Sequence, residues 1–398
     1  MTEQKDIIEK ENCCGCHACA QICPQHCITM QPDAEGFLYP QIDETACIHC
    51  NLCEKVCPIL QSSREPKDKT PTAYAAINKD DDIRSQSSSG GVFTLLAEYI
   101  LAQGGVVFGA AMADDQCSVR HIAVETPEDL AALRGSKYLQ STIGNTYNES
   151  KRALQAGRKV LFTGTPCQIE GLKSFLQGRE YPNLYCMDVI CHGVPSPLVW
   201  QTYVSEQETR AGAPARRTFF RHKKYGWKTY ALLLEFSNNK AYECVLSKDA
   251  FMQAFLQNAC LRPSCHICHF KKLNRVSDIT VADYWGVQNQ QPDMDDDKGT
   301  SLVLLHSSKG QELLEAVRAG LRLKQVQAEQ ALKANPAMTH SAAPHKNRQQ
   351  FFTNLGTIPF EQLVHKYARP PFTLRSAAVK TLRRLGLYQA LRKLYKGN

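Results

Sequence analysis

The run Cys13-x-x-Cys16-x-x-Cys19-x-x-x-Cys23-Pro24 recurs 34 residues later as Cys47-x-x-Cys50-x-x-Cys53-x-x-x-Cys57-Pro58. Three thiols at this spacing can wrap three irons of one iron–sulfur cube. The fourth, set before a proline that turns the chain away, reaches the cube held by the other run. Cys13, Cys16, Cys19 and Cys57 are therefore expected around one 4Fe-4S cluster, and Cys47, Cys50, Cys53 and Cys23 around a second. A zinc site closes with four ligands and has no use for a third evenly spaced cysteine. A disulfide framework belongs to small secreted chains, whereas residues 1–12 are charged and polar rather than a signal segment. Cys14 and Cys27 remain as thiols packed beside the clusters.

A chain of 398 residues exceeds one small domain. With 43% hydrophobic and 22% charged residues most of it should fold. No run of about 18 apolar residues is present to span a membrane. Eighteen cysteines without a secretory signal imply a reducing, cytoplasmic setting with thiols serving metal. Residues 1–60 hold nine acids and three bases, a net −6, so the remainder carries +14 of the total +8. An acidic head on a basic body suits the steering of redox partners.

The texture divides the chain into a ferredoxin-like α+β head (1–61), a polar linker (62–72), an α/β domain with a mixed sheet (73–320) and a helical basic extension (321–398). In the third segment, short apolar runs at 72–78, 106–112, 159–163, 184–190 and 279–282 read as strands, and 301–319 as a strand–helix unit. Helical patterns at 92–102, 127–133, 142–156, 167–176 and 248–257 lie between them, an alternation that argues for partly parallel strands. Residues 230–236 and 241–245 flank Asn238-Asn239 as a hairpin.

A second cysteine set lies in this domain. Cys265-x-x-Cys268 sits in a loop, with Cys260 upstream, while Cys167 and Cys191 each follow an apolar strand. Carboxyl ends of parallel strands are where α/β sheets place their sites. Cys167, Cys191, Cys265 and Cys268, with Cys260 as the substitute, can assemble a third cluster; a structural zinc or inert buried thiols fit the same spacing. Ser87-Ser88-Ser89-Gly90-Gly91 before a helix and Thr163-Gly164-Thr165 after a strand offer hydroxyls and bare amides to an anion, although ordinary helix caps use the same residues. Gly135-Ser136-Lys137-Tyr138 adds a cation and an aromatic ring.

Taken together, Ser89-Gly90-Gly91, Gly135-Ser136-Lys137-Tyr138, Gly164-Thr165-Pro166-Cys167-Gln168, Cys191-His192-Gly193-Val194-Pro195-Ser196 and the stretch from Cys265-His266-Ile267-Cys268 through Arg275-Val276-Ser277-Asp278 to Asp283-Tyr284-Trp285-Gly286 resemble the coenzyme F420-reducing hydrogenase and dehydrogenase beta subunits. The resemblance covers about residues 73–320, with the two-cluster head fused in front. It implies a flavin, usually FAD, and a 4Fe-4S cluster inside the α/β domain. It also implies that Ser89, Gly90, Gly91, Ser136, Lys137, Tyr138, Thr163, Gly164 and Thr165 surround the flavin. Lys137 and His192 are candidates for polarising flavin or substrate, set against an ion pair for the lysine and a structural role for the histidine. The expectation is an iron–sulfur flavoprotein oxidoreductase that exchanges electrons between a ferredoxin-like or other redox protein and a two-electron substrate. Relatives using a deazaflavin coenzyme stand beside others that do not, and no residue here singles out that coenzyme.

A different class of reading is an electron-transfer subunit docked on a larger complex. In the last 54 residues eleven Lys and Arg face a single acid, Glu361, and Leu374, Ala378, Leu382, Leu385, Leu391 and Leu394 run among them. Such a stretch suits a membrane surface or an acidic partner, or packs on the body as a closing helix. Nucleic acid is not expected, since aromatic interleaving is thin and no recognition motif is present.

Overall fold

The structure is a computed structural model that describes residues 7–61 and 70–369. The basic stretch beyond 369 and most of the expected linker lie outside the described residues. In the head, β1 (Ile28–Pro32) and β2 (Leu38–Ile42) pair antiparallel, and the short helices Ala18–Ile22 and Leu52–Lys55 each carry the third cysteine of a C-x-x-C-x-x-C run. The body holds β3 (Thr72–Asn78), β4 (Val106–Met112), β5 (Val119–Val124), β6 (Val160–Gly164), β7 (Leu184–Val189), β8 (Ala215–His222), β9 (Ala231–Phe236), β10 (Ala241–Val245), β11 (Ile279–Asp283), β12 (Ser301–Leu305) and β13 (Leu321–Val326).

Eight of these form one sheet in the order β13-β3-β12-β11-β7-β6-β4-β5. Its centre, β4, β6, β7 and β11, is parallel. β12, β3 and β13 join antiparallel on one side and β5 on the other. The central strands are buried on both faces, which is why they read as continuous apolar runs rather than as alternations. β8, β9 and β10 form a separate three-stranded sheet around the expected Asn238-Asn239 turn, where Asn239 takes φ 64°.

Three elements depart from expectation. The helix Pro197–Ala211 opens on a Ser196 N-cap with Pro197 in the first turn, and buries Val199, Trp200, Tyr203 and Val204 at helical spacing. The 127–133 segment is a short 3-10 helix, Glu128–Ala132, and the 142–156 helix begins only at Thr146. Residues 321–326 are not part of a helical extension: Leu321 and Leu323 alternate with Arg322 and Lys324, a period of two, and the segment closes the sheet edge as β13. Among the described residues of that extension, Ala328–Leu332, Arg348–Thr353 and Phe360–Tyr367 are α-helices and Pro336–Met338 is a 3-10 turn.

The Arg275-Val276-Ser277-Asp278 stretch owes its polarity to the sheet. Asp188 at the end of β7 is buried, bound by Arg275 Nη1 at 3.1 Å and by Thr280 Oγ1 at 2.5 Å on β11. Asp278 accepts from the Cys186 amide at 2.8 Å and from Ser307 Oγ at 2.5 Å. Arg275→Met would leave Asp188 buried without its counter-charge, a loss of about 3–5 kcal/mol in chemical unfolding.

Candidate functional site

The carboxyl ends of the parallel strands open into one cavity of about 680 Å3. Ala110 of β4, Thr163 and Gly164 of β6, Met187 and Val189 of β7, and Val281 to Asp283 of β11 form its floor. Of the residues expected around a flavin, Ser89, Gly91, Ser136, Lys137, Tyr138, Thr163, Gly164 and Thr165 line it. Gly90 does not. It is wedged between β3 and β12, where a Cβ would strike Ala76 O and Ser301 N, and its amide donates to Ser301 Oγ at 2.9 Å. Gly90 thus lets the serine turn lie against the sheet.

Several hydroxyls there are already committed. Ser89 Oγ donates to Thr300 O and Thr163 Oγ1 to Phe108 O, while Ser88 and Ser136 share a bond of 2.7 Å. Thr165 caps the helix Pro166–Phe175 in a reciprocal box with Gln168. The charge comes from Lys137, whose Nζ donates to Ala132 O and Arg134 O, both at 2.8 Å. Among the described residues it pairs with no carboxylate, unlike the ion pair weighed from sequence. Burial pushes its ammonium down to about 7.

His192 lines the same cavity, bonded through Nε2 to Asn258 Oδ1 at 2.6 Å and set edge-on to Phe255. Burial lowers its pKa, so the ring is neutral at pH 7. Sequence reasoning missed His121, which reaches the cavity from β5. Its Nε2 lies 2.9 Å from Thr163 O, its ring stacks on Phe162, and burial brings its pKa to about 4. The signal was the alternating run Val119–Val124, which places His121 on the inner face. Tyr230, Phe255 and Trp285 add an aromatic wall that no motif announced.

The cysteines gather in three further hollows. Cys13, Cys16, Cys19 and Cys57 line one, and Cys23, Cys47, Cys50 and Cys53 a second, with the spare Cys27 beside Cys23 at 3.3 Å. Cys167, Cys191, Cys265 and Cys268 line a third, together with Cys14. Cys260 is not among them; it is fully buried in the apolar core around Trp200 and Phe251. Among the described residues, the one group of three metal-ligating atoms within 4.8 Å of one another is Glu44, Cys47 and His49. Among the described residues none of the three quartets thus brings three of its thiols within 4.8 Å of one another.

These hollows abut. Residues Cys191, His192, Gly193 and Val194 wall both the large cavity and the third quartet. Cys14 and Ile59 wall both the third quartet and the Cys13 quartet. Contact is close because Gly171, one turn along the helix from Cys167, lies against Cys16: a Cβ there would stand 2.8 Å from Cys16 Cβ and 2.8 Å from the Tyr147 hydroxyl.

Set beside known proteins, residues 73–146 match the N-terminal part, and residues 157–330 the C-terminal part, of the coenzyme F420 hydrogenase/dehydrogenase beta subunit. Residues 12–59 match a 4Fe-4S dicluster domain. The chain belongs to the coenzyme F420 hydrogenase/dehydrogenase beta-subunit family, with a dicluster head. It is similar to a coenzyme F420-dependent sulfite reductase of Methanocaldococcus jannaschii, 24% identical over 348 residues, which is 82% of this chain and 50% of the relative. The chain therefore spans about half the length of that relative. It also aligns with a chain of the F420-reducing NiFe hydrogenase complex from Methanosarcina barkeri at 20% identity, covering 67% of this chain and 90% of that one, with a TM-score of 0.46. No helix among the described residues is long and apolar enough to cross a membrane.

Two outcomes follow from this geometry. Gly171→Val should push Cys16 off the helix, cost about 1–3 kcal/mol in thermal unfolding and lower iron and sulfide per chain. Lys137 is mostly protonated only below about 7, so an anionic group held by it binds more tightly as pH falls through that value. Flavin retention measured from about pH 6 to about pH 8.5 should show an inflection in the native chain and none in Lys137→Met.

Proposed function

We propose that this chain is an iron–sulfur flavoprotein oxidoreductase that carries electrons between a redox protein at its head and a two-electron substrate in the large cavity. The observation that carries the reading is the continuity of the four spaces, each sharing wall residues with the next. Cys13, Cys16, Cys19 and Cys57 hold one cluster, and Cys47, Cys50, Cys53 and Cys23 another. Cys167, Cys191, Cys265 and Cys268 hold a third. The cavity takes the flavin, FAD in this reading, with Ser136, Lys137 and Tyr138 along one wall.

A flavin exchanges two electrons with a substrate and releases them singly, while a cubane cluster carries one at a time. The chain's own part is to seat and insulate these groups. Lys137 presents a cation whose pKa near 7 lets it hold or release a proton at neutral pH. The neutral His192 and the Cys191–Val194 backbone form a thin wall between cavity and third quartet. Lys271 fastens that wall, its Nζ donating to Cys191 O at 2.5 Å. At the far end Cys50 is exposed and Ile48 stands 58% exposed beside it, which fits docking by a ferredoxin-like protein.

The deazaflavin coenzyme named in the Methanocaldococcus relative is the first substrate to test. Oxygen-free purification should yield about twelve iron atoms and one flavin per chain. Reduction through a ferredoxin, followed by mixing with the deazaflavin, should reoxidise the bleached clusters. Material that contains zinc in place of iron, or releases no yellow chromophore on denaturation, refutes the reading. Loaded protein that never turns over alone points to the docked electron-transfer subunit.

A further inference from the structure

Arg262 is fully buried, yet among the described residues no carboxylate pairs with it. Its three hydrogen bonds go to neutral oxygens: Nε to Cys13 O at 2.7 Å, Nη1 to Gln140 Oε1 at 2.8 Å and Nη2 to Leu38 O at 2.9 Å. The guanidinium lies over the Tyr39 ring at 4.2 Å. The acids next to that hairpin are engaged elsewhere, Asp33 with Lys10 at 2.8 Å and Glu35 with Arg348 at 2.7 Å. A buried cation without an anion is strongly disfavoured. The compensating negative charge must therefore come from something else at this spot.

Two thiol quartets flank it. Through Nε the guanidinium holds the backbone of Cys13, a member of the first quartet. Its backbone belongs to the Cys265 loop: Arg262 O accepts from Cys265 N at 2.9 Å, and Arg262 N donates to Val194 O at 3.0 Å. Gly15, between Cys13 and Cys16, leaves room for it, since a Cβ there would meet Nη1 at 2.8 Å.

We propose that Arg262 is the shared counter-ion of two iron–sulfur clusters, the one on Cys13, Cys16, Cys19 and Cys57 and the one on Cys167, Cys191, Cys265 and Cys268. A cube on four thiolates is an anion, and each added electron makes it one charge more negative. A cation beside it favours the reduced form, so one arginine holds both midpoint potentials up. The same bonds clamp the head to the body, which ties the potentials to the docking of the two parts. No Lys or Arg is among the described residues lining the outer hollow, where Glu44 stands and Cys50 is exposed, so the outer quartet is independent of Arg262.

The proposal rests on the three-cluster reading and is tested on the full chain by reductive titration followed by electron paramagnetic resonance. Signals are first assigned with variants lacking Cys50 or Cys268. In Arg262→Gln the inner head cluster and the body cluster should both move to more negative potential while the outer cluster stays; Arg262→Lys should fall between. Gln140→Glu is the second variant, because it sets a carboxylate against Nη1 and neutralises the arginine in place. It should shift the same two signals in the same direction if Arg262→Gln does not fold. Three clusters with unmoved potentials, or three potentials that move together, overturn the counter-ion. A native chain holding fewer than three clusters defeats the three-cluster reading instead, and iron quantitation tells the two failures apart.

Discussion

Cys16 lies against Gly171 with no side chain between them, and that contact sets how closely the two-cluster head approaches the body. The seam around it resembles a domain interior more than a surface. Cys14 and Cys16 belong to the same apolar core as Tyr147, Phe162 and Ile169 of the body. Gln21 bonds the amides of Tyr147 and Asn148, and Arg348 grips Glu35 through both guanidinium nitrogens. Gly36, at φ 82°, tucks the hairpin turn against Leu198, which no β-carbon would permit. Single-electron transfer depends steeply on separation. A head tethered only by a flexible linker would pass electrons in rare encounters, and a packed seam removes that limit.

The seam also explains why the body needs its particular sheet. Cys167 stands at the start of a helix after β6, Cys191 follows β7, and the Cys265 loop returns just before β11. Two neighbouring parallel strands thus deliver Cys167 and Cys191 from their carboxyl ends, and the Cys265 loop folds back onto the same edge, where Val194 N donates to Cys265 Sγ at 3.4 Å. Asp188 and Arg275, both buried, lock β7 to the approach of β11 and fix where Cys191 and the loop meet. The polar pair inside an apolar sheet is a structural charge, and the site inherits its rigidity.

What was legible in the sequence followed from locality. The doubled cysteine run carries its own geometry, because three ligands within seven residues leave few other arrangements. Cys167 and Cys191 were legible for another reason: strand ends in parallel sheets converge, whatever the residues between them. Gly90 shows where motif reading fails, since a glycine chosen for close backbone packing looks the same in sequence as one that meets a ligand. The helix Pro197–Ala211 carries its Ser196 cap and its apolar stripe openly in the sequence. Lys137 could not be read at all. Its depressed pKa arises from burial, which spacing does not reveal. Arg262 is harder still, one arginine among many until folding leaves it, among the described residues, with no carboxylate partner.

The outer thiol hollow and the large cavity stand at opposite ends of one series of hollows. The hollow of the outer quartet shares Ile7 with that of the inner head quartet. The latter shares Cys14 and Ile59 with the body quartet, and the body quartet shares Cys191 to Val194 with the cavity. The outer hollow and the cavity have no wall residue in common. Exposure is graded along the series, from Cys50 at the surface to buried Cys14 and Cys16 and then to an opening wide enough for an organic cofactor. Cys50 of the outer quartet is the exposed thiol, so a protein too large for the cavity can meet the chain there. Separation of this kind lets one-electron and two-electron chemistry proceed in one chain without either reactant reaching the other directly.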